Sequence, residues 1–345
     1  MSAKSHILLV GSGGLGTMAA YNLEVGGLAT ITAVLRSNYK AVADNGFTLT
    51  SVDHGNIKGW KPTNIVDAIP TAGKDKLPFD FIVVTTKNVA DISPTVAELI
   101  APAVTEGHTT IALLQNGLNI EKPIIAAFPK NPVISGVSLI GATETAHSHV
   151  LHDDPDELII SPFDNPNIPQ YISIAAAKKF AELYSASGKV VCEYNENVGF
   201  VRWRKLVYNA CYNSACAVVR MDTSRMRMYK FPIEDVVRPL MVEIIAIAKA
   251  AGHDLPDGIA DKMINADSEF TFFRPSMLQD VEKGNFIEFE NIVGEPLREA
   301  EKLGVPAPNL KLIYGMLKIL QWKTMETKGL VKLPVAPPYG ISVLS

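Results

Sequence analysis

A glycine-rich turn near the amino terminus constrains the fold more than any other part of the sequence. In HILLVGSGGLGTMAAYNL, a short apolar strand precedes a GxGxxG pattern and a helical segment follows it directly. The first glycine permits a tight turn, the second lets the backbone approach a pyrophosphate, and the third lets helix and strand pack, while the helix amino terminus attracts phosphate charge. We therefore predict a dinucleotide site here; the alternative is a glycine-rich turn without a ligand. Its residues are Gly11, Ser12, Gly13, Gly14, Leu15 and Gly16.

Arg36 indicates which dinucleotide would bind. It follows the second predicted strand, twenty residues after Gly16, where an enzyme that uses NAD would usually carry Asp or Glu for the ribose hydroxyl. A guanidinium can bind a 2′-phosphate through two hydrogen bonds, whereas a carboxylate would repel it. The sequence therefore favours NADP (NADPH) over NAD. A solvated arginine is the alternative, and Lys40 could either assist the phosphate or be solvated.

Strand-like runs alternate with helical stretches through the first half of the chain, a pattern typical of βαβ units around a parallel sheet. The runs are HILLV, ATITAVL, FDFIVVTT, TTIALLQN, PVISGVSLIGA and GKVVCEY. A further segment, SHVLHDDPDELIISPF, predicts a hairpin that turns at Asp153–Pro155. The first half is therefore predicted to be an α/β domain.

Helical periodicity replaces the strand signals after about residue 195. The predicted helices span 197–220, 232–251, 257–269, 275–283 and 288–303. Gly252 and Gly304 are predicted to cap two of them. We therefore expect an α/β domain over 1–195 and an all-helical domain over 196–345, which ends in an extended surface tail, LPVAPPYGISVLS.

Two predicted strands end in polar residues that could line the cofactor site. FIVVTTK ends at Lys87, and IALLQNG ends at Gln115, Asn116 and Gly117. Doubly wound sheets bind ligands at the carboxyl ends of their strands, so we expect both segments to lie at the nicotinamide end. For the second segment, an ordinary Asn-Gly turn is the alternative.

The helical segment WRKLVYNACYNSACAVV carries three polar residues at a spacing of four, namely Lys205, Asn209 and Asn213. At about 100° per residue, these side chains point the same way from an otherwise apolar helix. A buried amide or ammonium without a partner costs about 1–3 kcal/mol, so this face is expected to meet something polar. The alternatives are a lysine that reaches solvent and two asparagines that are simply buried and satisfied.

Five features of the sequence together resemble the ketopantoate reductase family, the 2-dehydropantoate 2-reductases. They are GSGGLG, TTK, QNG, this helix and SMLQDVEKGNFIEFENIVGEPLREAEKLGVPAPN (276–309). The motifs occur in the family's order and extend over most of the chain. The resemblance implies a Rossmann NADP-binding domain followed by a helical domain. It also implies that NADPH reduces 2-dehydropantoate to pantoate in the cleft between them, a step of pantothenate biosynthesis.

The resemblance also implies individual roles. Lys205 would be the proton donor. The substrate would be contacted by Asn116, Asn209, Asn213 and Ser276. The cofactor side would include Arg36, Lys87, Asn116, Ala142 and Glu288.

These residue types suit the reduction of a ketone. Hydride arriving at the carbonyl carbon leaves negative charge on its oxygen, and an ammonium group both stabilises that charge and delivers a proton. Ser276 can donate to the substrate carboxylate, and Glu288 could keep Lys205 charged and oriented. As alternatives, Ser276 could be a helix N-cap and Glu288 an acid at a helix amino terminus.

Three departures from the family's usual pattern leave the substrate open. NSACAV follows where Pro-Leu-Thr is common, Asn88 follows the lysine of TTK, and residues 51–78 form a long polar insertion. One alternative is an NADP-dependent reductase of another branched 2-keto acid. A second is a regulator that senses NADPH without turnover, although the intact Lys205, Asn209 and Asn213 set speaks against it.

Composition excludes several other classes of function. A net charge of −4 and a pI near 6.0 give no basic surplus for nucleic acid, and no apolar run is long enough for a membrane span or a secretion signal. The three cysteines form no CxxC pair, so we expect a reducing compartment, the cytoplasm.

One segment of the first half is rich in histidine. HSHVLHDDPDE contains His147, His149 and His152 near four acids, and alternation in a strand would place the first two on one face. Polar outer residues of a hairpin explain this segment, so no metal is expected. The helical half could pair with a second copy, although no sequence feature decides it.

Overall fold

A computed structural model describes residues 3–73 and 77–332. The strands in these residues are β1 (Ser5–Val10), β2 (Ala29–Val34), β3 (Phe47–Ser51), β4 (Gly55–Trp60), β5 (Asn64–Val66), β6 (Phe81–Val84), β7 (Thr110–Leu113), β8 (Val133–Ala146), β9 (His149–Pro162) and β10 (Val191–Tyr194). The first five helices are α1 (Gly14–Val25), α2 (Tyr39–Asn45), α3 (Val96–Ile100), α4 (Lys122–Ala127) and α5 (Gln170–Ser185). The predicted carboxyl-terminal tail lies outside the described residues.

The helices of the second half follow β10. They are α6 (Val198–Tyr208), α7 (Ser214–Val219), α8 (Thr223–Met228), α9 (Arg238–Ala250), α10 (Ile259–Ile264), α11 (Ser276–Glu282), α12 (Glu295–Leu303) and α13 (Pro308–Thr327). Three π-helical turns precede α7, α9 and α12 without a break, at Asn209–Asn213, Ile233–Val237 and Glu290–Gly294.

The strands form one sheet in the order β4-β3-β9-β8-β7-β6-β1-β2-β5, with β10 paired to β9. All neighbours from β5 to β8 are parallel, and they follow the 3-2-1-4-5-6 order of a Rossmann domain. The chain order reverses between β1 and β6, and ligands of such sheets bind beyond the carboxyl ends of the strands at this switch point. The predicted α/β fold with a helical second half is confirmed.

Side-chain alternation in β1 explains how the sheet sits between two helix layers. Ile7 and Leu9 pack with α1 and α5, whereas Leu8 and Val10 pack with α3 and α4. All four are buried, and full burial of such a side chain is worth about 1.5–3 kcal/mol. Because both faces are covered, the strand is continuously apolar rather than alternating.

The second half has its own apolar core, formed mainly by α6, α7, α9 and α13. Cys211 and Cys216 lie fully buried in it as small core residues. Gly304 ends α12 in a left-handed conformation, and Gly252 follows the end of α9 with φ +88°. Both predicted caps are therefore confirmed.

The predicted hairpin exists, but its turn was misplaced. β8 and β9 are antiparallel and meet at the turn residues His147 and Ser148, so Asp153–Pro155 lies inside β9. The pairing is irregular around Gly141, opposite Asp154, and such a bulge tolerates a proline within a strand. His147 therefore lies in the turn rather than on a strand face with His149.

Several other boundaries differ from the predictions. The helix predicted over 257–269 is only α10, and α8 and α13 were not predicted. The start of α13 at Pro308 and its buried Leu310, Ile313 and Leu317 were the available signals. The 51–78 insertion contains β4 and β5, which extend opposite edges of the sheet. The domain boundary near residue 195 stays a prediction.

Candidate active site

The glycine-rich turn lies at the switch point, between the carboxyl ends of β1 and β6. Gly11 has φ +108°, and a Cβ atom there would lie 2.6 Å from the backbone nitrogen of Thr86. A Cβ atom at Gly16 would lie 1.8 Å from the carbonyl oxygen of Gly11. The Thr85 hydroxyl donates to that same oxygen at 2.6 Å. Any larger residue at these two glycines would therefore displace the turn.

The turn also leaves room for an anion. Among the described residues, no atom lies within 4 Å of the position of a Cβ atom at Gly13, and the first turn of α1 carries no acidic residue. The helix amino terminus favours negative charge at this position. The buried Asn38, which was not predicted from the sequence, donates to the carbonyl of Ser12 at 3.2 Å and so stabilises the turn. These features fit the pyrophosphate of a dinucleotide.

Arg36 is exposed just beyond the end of β2, beside the turn that Asn38 supports. Lys40 instead forms an ion pair with Asp44 at 2.8 Å on the surface of α2. Of the two cations considered for the 2′-phosphate, only Arg36 is therefore not engaged by a carboxylate within the described residues.

Strand β8 connects the glycine-rich turn to Lys205. A Cβ atom at Gly14 would lie 2.2 Å from the carbonyl oxygen of Ala142, so α1 begins directly against this strand. Four residues earlier in β8, the carbonyl of Ser138 accepts a hydrogen bond from Lys205 Nζ at 2.6 Å. At about 3.3 Å per residue, the two contacts are roughly 13 Å apart along the strand.

A cavity of about 410 Å³ opens beside the Lys205 amine. That volume is typical of sites for small molecules. The site residues predicted from the sequence that line the cavity are Asn116, Lys205, Asn209, Asn213 and Ser276. The structure therefore brings together the proposed acid and all four proposed substrate contacts, although their roles stay predictions.

Asn213 and Ser276 meet across the cavity. The Asn213 amide donates to Ser276 Oγ at 3.4 Å, while its own Oδ1 atom is buried and has no hydrogen-bond partner within the described residues. Ser276 is the first residue of α11, and Pro275 occupies the N-cap position, so the serine hydroxyl does not cap the helix. Both side chains are therefore available to a ligand.

Lys87 and Glu288 form a separate polar cluster. Lys87 Nζ lies 2.8 Å from Asp280 and 3.4 Å from Glu288, and the Glu288 carboxylate also accepts the backbone N–H of Asn88 at 2.8 Å. Burial opposes the charge of Lys87, but the two carboxylates outweigh it and raise the pKa of the lysine. Glu288 forms no ion pair with Lys205, so it acts on that amine only through its field.

Arg202, which the sequence analysis missed, joins the two halves of the molecule. It is buried and pairs with the buried Glu121 at 3.0 Å, and it donates to the carbonyls of Gln115 at 3.2 Å and Gly117 at 2.8 Å. Ser135 donates to the same glutamate and accepts from Arg202 Nε at 2.8 Å. Arg202 therefore fixes α6 against the QNG loop, three residues before Lys205.

Burial and, to a smaller extent, the positive charge of Arg202 lower the pKa of Lys205 to about 8, and the charge of Glu288 opposes both effects. An amine with such a pKa is mostly charged at neutral pH yet releases its proton easily. The site therefore holds a cation that can act as a general acid.

The side chains of the histidine-rich segment form hydrogen bonds with nearby protein groups. His152 is buried and its ring bonds to the Ser51 hydroxyl at 2.8 Å, while the His149 ring bonds to the backbone carbonyl of His147 at 3.0 Å. Across residues 3–73 and 77–332, no cluster of three or more His, Cys, Asp or Glu side chains could hold a metal ion.

A Rossmann sheet with a glycine-rich turn at its switch point, facing a helical half that presents one lysine, defines a class of nicotinamide-dependent oxidoreductases. The chain belongs to the ketopantoate reductase family. Residues 7–165 match the family model described as Ketopantoate reductase PanE/ApbA, and residues 197–321 match the model of its C terminal part. Dependence on NADP is typical of this family, in agreement with the cofactor predicted from the sequence.

Individual relatives extend over almost the whole chain. A Saccharomyces cerevisiae protein named "Uncharacterized protein YDL144C" is 36% identical and covers 95% of this chain and 97% of its own. A 2-dehydropantoate 2-reductase from Nostoc sp. is 24% identical and covers 93% of this chain and 96% of its own. The crystal structure of 2-dehydropantoate 2-reductase from Methylococcus capsulatus superposes with a TM-score of 0.77 at 29% identity, and covers 92% of this chain and 97% of its own.

No helix within the described residues combines the length and the apolar character needed to cross a membrane.

Proposed function

We propose that the protein reduces a 2-keto acid to the corresponding 2-hydroxy acid with NADPH, and that 2-dehydropantoate is the first candidate substrate. One observation carries the proposal. The amine of Lys205 faces a cavity lined by Asn209, Asn213 and Ser276, and it is held by the same strand that contacts the glycine-rich turn. The acid and the polar substrate contacts therefore share one cavity, and β8 links that cavity to the dinucleotide cradle.

The chain's own residues carry the proton side of the reaction. When bound, the reduced nicotinamide supplies a hydride to the carbonyl carbon. As the carbonyl oxygen gains charge, the Lys205 ammonium stabilises it and transfers a proton from Nζ to form the hydroxyl group. The ketone is thereby reduced, NADPH is oxidised to NADP⁺, and the neutral amine regains a proton from water.

Other residues would bind and orient the partners. The backbone of Gly13 and the amino terminus of α1 would hold the pyrophosphate, and Arg36 would pair with the 2′-phosphate. Asn213 Oδ1, buried without a partner in the described residues, can accept a hydrogen bond from a substrate hydroxyl group. This acceptor supports a hydroxylated acid such as 2-dehydropantoate.

We further propose a place for the reaction in pantothenate biosynthesis, in the cytoplasm, with a homodimer formed through the helical half. All three cysteines are free thiols, which suits a reducing compartment. Exposed Tyr229, Phe231 and Leu312 line an apolar groove of about 570 Å³ on the helical half, and a second copy would cover it. Sedimentation equilibrium of the full chain tests the dimer.

NADPH oxidation tests the activity directly. The assay uses 2-dehydropantoate, 3-methyl-2-oxobutanoate, pyruvate and phenylglyoxylate as acceptors, and NADPH binding is measured in parallel by fluorescence. We expect turnover with at least one branched acid. Tight NADPH binding without turnover of any acceptor would instead support the alternative, a regulator that senses NADPH.

A further inference from the structure

Arg204 lines the same cavity as Lys205, yet neither the family resemblance nor the reaction described above uses it. It is partly buried on α6, next to the proposed acid. In the part of the chain that the structure describes, its guanidinium forms no hydrogen bond or ion pair. A cation beside a ligand cavity, without a protein partner, is a candidate for binding an anionic group of the ligand.

Helical geometry places Arg204 and the asparagines on opposite sides of Lys205. At about 100° per residue, Arg204 lies about 100° around the axis in one direction, and Asn209 lies about 40° around it in the other. Tyr208 lies on the same side as Arg204 and also lines the cavity. A carbonyl group at the lysine would therefore have a guanidinium on one side and neutral amides on the other.

The other charged groups of the cavity do not engage Arg204. Asp267 accepts a hydrogen bond from the Tyr208 hydroxyl, and the backbone carbonyl of Asp267 accepts one from Arg227 at 2.8 Å. Asp154 lines the cavity but is exposed and lies beyond ion-pair distance of Arg204. Lys205 already donates to Ser138. Of the cations lining this cavity, only Arg204 lacks a partner within the described residues.

We propose that Arg204 is a substrate-binding residue that pairs with the carboxylate of the 2-keto acid. The inference rests on the proposed function, because it identifies the group that recognises that function's substrate. The planar guanidinium can donate two parallel hydrogen bonds to a carboxylate, which fixes orientation as well as position. With the carboxylate on the Arg204 side, the keto oxygen faces Lys205 and the remaining chain extends toward Asn209 and Asn213.

This arrangement divides recognition between two sides of one helix. Arg204 would select for the acid, and Asn213, with its buried unpartnered oxygen, would select for a hydroxyl group in the substituent. Ser276, expected from the sequence to donate to the carboxylate, would in this arrangement donate to a substrate group between Asn213 and α11. The carboxylate keeps its charge throughout the reduction, so Arg204 should bind the substrate and the transition state about equally and affect KM more than kcat.

The test compares an acid with its ester. The probes are 3-methyl-2-oxobutanoate, its methyl ester and 2-dehydropantoate, each reduced with NADPH by the wild type, Arg204→Met and Arg204→Lys. Arg220→Met is the matched control, because it removes the same charge from an exposed residue that does not line the cavity. Circular dichroism and NADPH affinity verify that each variant folds.

For Arg204→Met we expect kcat/KM for both acids to fall about 10- to 100-fold, mainly through KM, whereas the ester keeps its wild-type value. Arg204→Lys should retain part of the acid preference, and Arg220→Met should retain all of it. Equal losses for acid and ester, or no loss for the acids, would overturn the role of Arg204 while leaving the proposed reduction intact. A wild type that reduces none of the acids would overturn the proposed function and this inference together.

Discussion

The cofactor side and the substrate side of the candidate site are built in different ways. The cofactor side is a run of adjacent residues, Gly11–Gly16, in which the backbone at Gly11 and Gly14 approaches Thr86 and Ala142 too closely for a Cβ atom. The substrate side is made of side chains from β8, α6 and α11, which meet only in the folded chain. Local backbone geometry therefore governs nucleotide binding, whereas long-range packing governs the chemistry.

Replacing Lys205 should produce the largest effect and should separate the two sides. Lys205→Ala removes the general acid, so kcat should fall by about 10² to 10⁴, while the dissociation constant of NADPH stays within about twofold of wild type. Stopped-flow turnover and fluorescence titration measure the two quantities. The proposed role of Lys205 does not survive if the variant turns over like the wild type.

Two glycine substitutions should break the cofactor side in different ways. Gly13→Ala adds a methyl group in open space, so the apo protein should keep its Tm while NADPH affinity falls about 10-fold or more, because the pyrophosphate needs that space. Gly16→Ala places its methyl group 1.8 Å from the Gly11 carbonyl oxygen, so Tm should fall as well. Differential scanning fluorimetry without cofactor distinguishes them. Equal losses of Tm would show that Gly13 is structural too.

The same contrast explains which parts of the site could be predicted from the sequence. The glycine-rich turn is contiguous and each glycine answers a local steric demand, so the pattern alone predicts it. Lys205, Asn209 and Asn213 lie on one helix face and were found through their spacing. Glu288 lies near enough to Lys205 for its charge to act on that amine, but its ion pair is with Lys87, because the partner of a buried acid depends on packing between distant segments.

Residues that act across the two halves could not be predicted in this way. Arg202 is 81 residues from Glu121 in the sequence, and only the folded chain makes them an ion pair. From the sequence alone, Arg202 would be placed on the surface, because its buried partner is not visible there. The hairpin turn was misplaced for a related reason, since the Asp153–Pro155 pattern predicts a turn locally and pairing with β8 overrides it.

Arg36 offers a smaller test of the cofactor side. Arg36→Ala should weaken NADPH binding about 10-fold and leave NADH binding nearly unchanged, because only NADPH carries the 2′-phosphate. The ratio of the two dissociation constants is the measurement, and Lys40→Ala is the matched control, since Lys40 is paired with Asp44. An unchanged ratio in Arg36→Ala would show that the arginine is only a solvated surface residue.

The smallest expected effect concerns the pH profile and tests whether Arg202 positions and tunes Lys205. Reduction needs the charged amine, so kcat/KM should fall as pH rises through the lowered Lys205 pKa of about 8. Removing the Arg202 charge raises that pKa, so the alkaline limb should move to higher pH, by up to about one pH unit.

The choice of variants matters because Arg202 has a buried partner. Arg202→Met leaves Glu121 buried without that partner, at a cost of about 3–5 kcal/mol in stability, and the double variant Glu121→Gln/Arg202→Met removes the unpaired charge. The alkaline limb of the pH profile should move in the double variant and stay near pH 8 in Glu121→Gln alone. A lower rate with an unchanged pH profile would show that Arg202 only holds α6 in place.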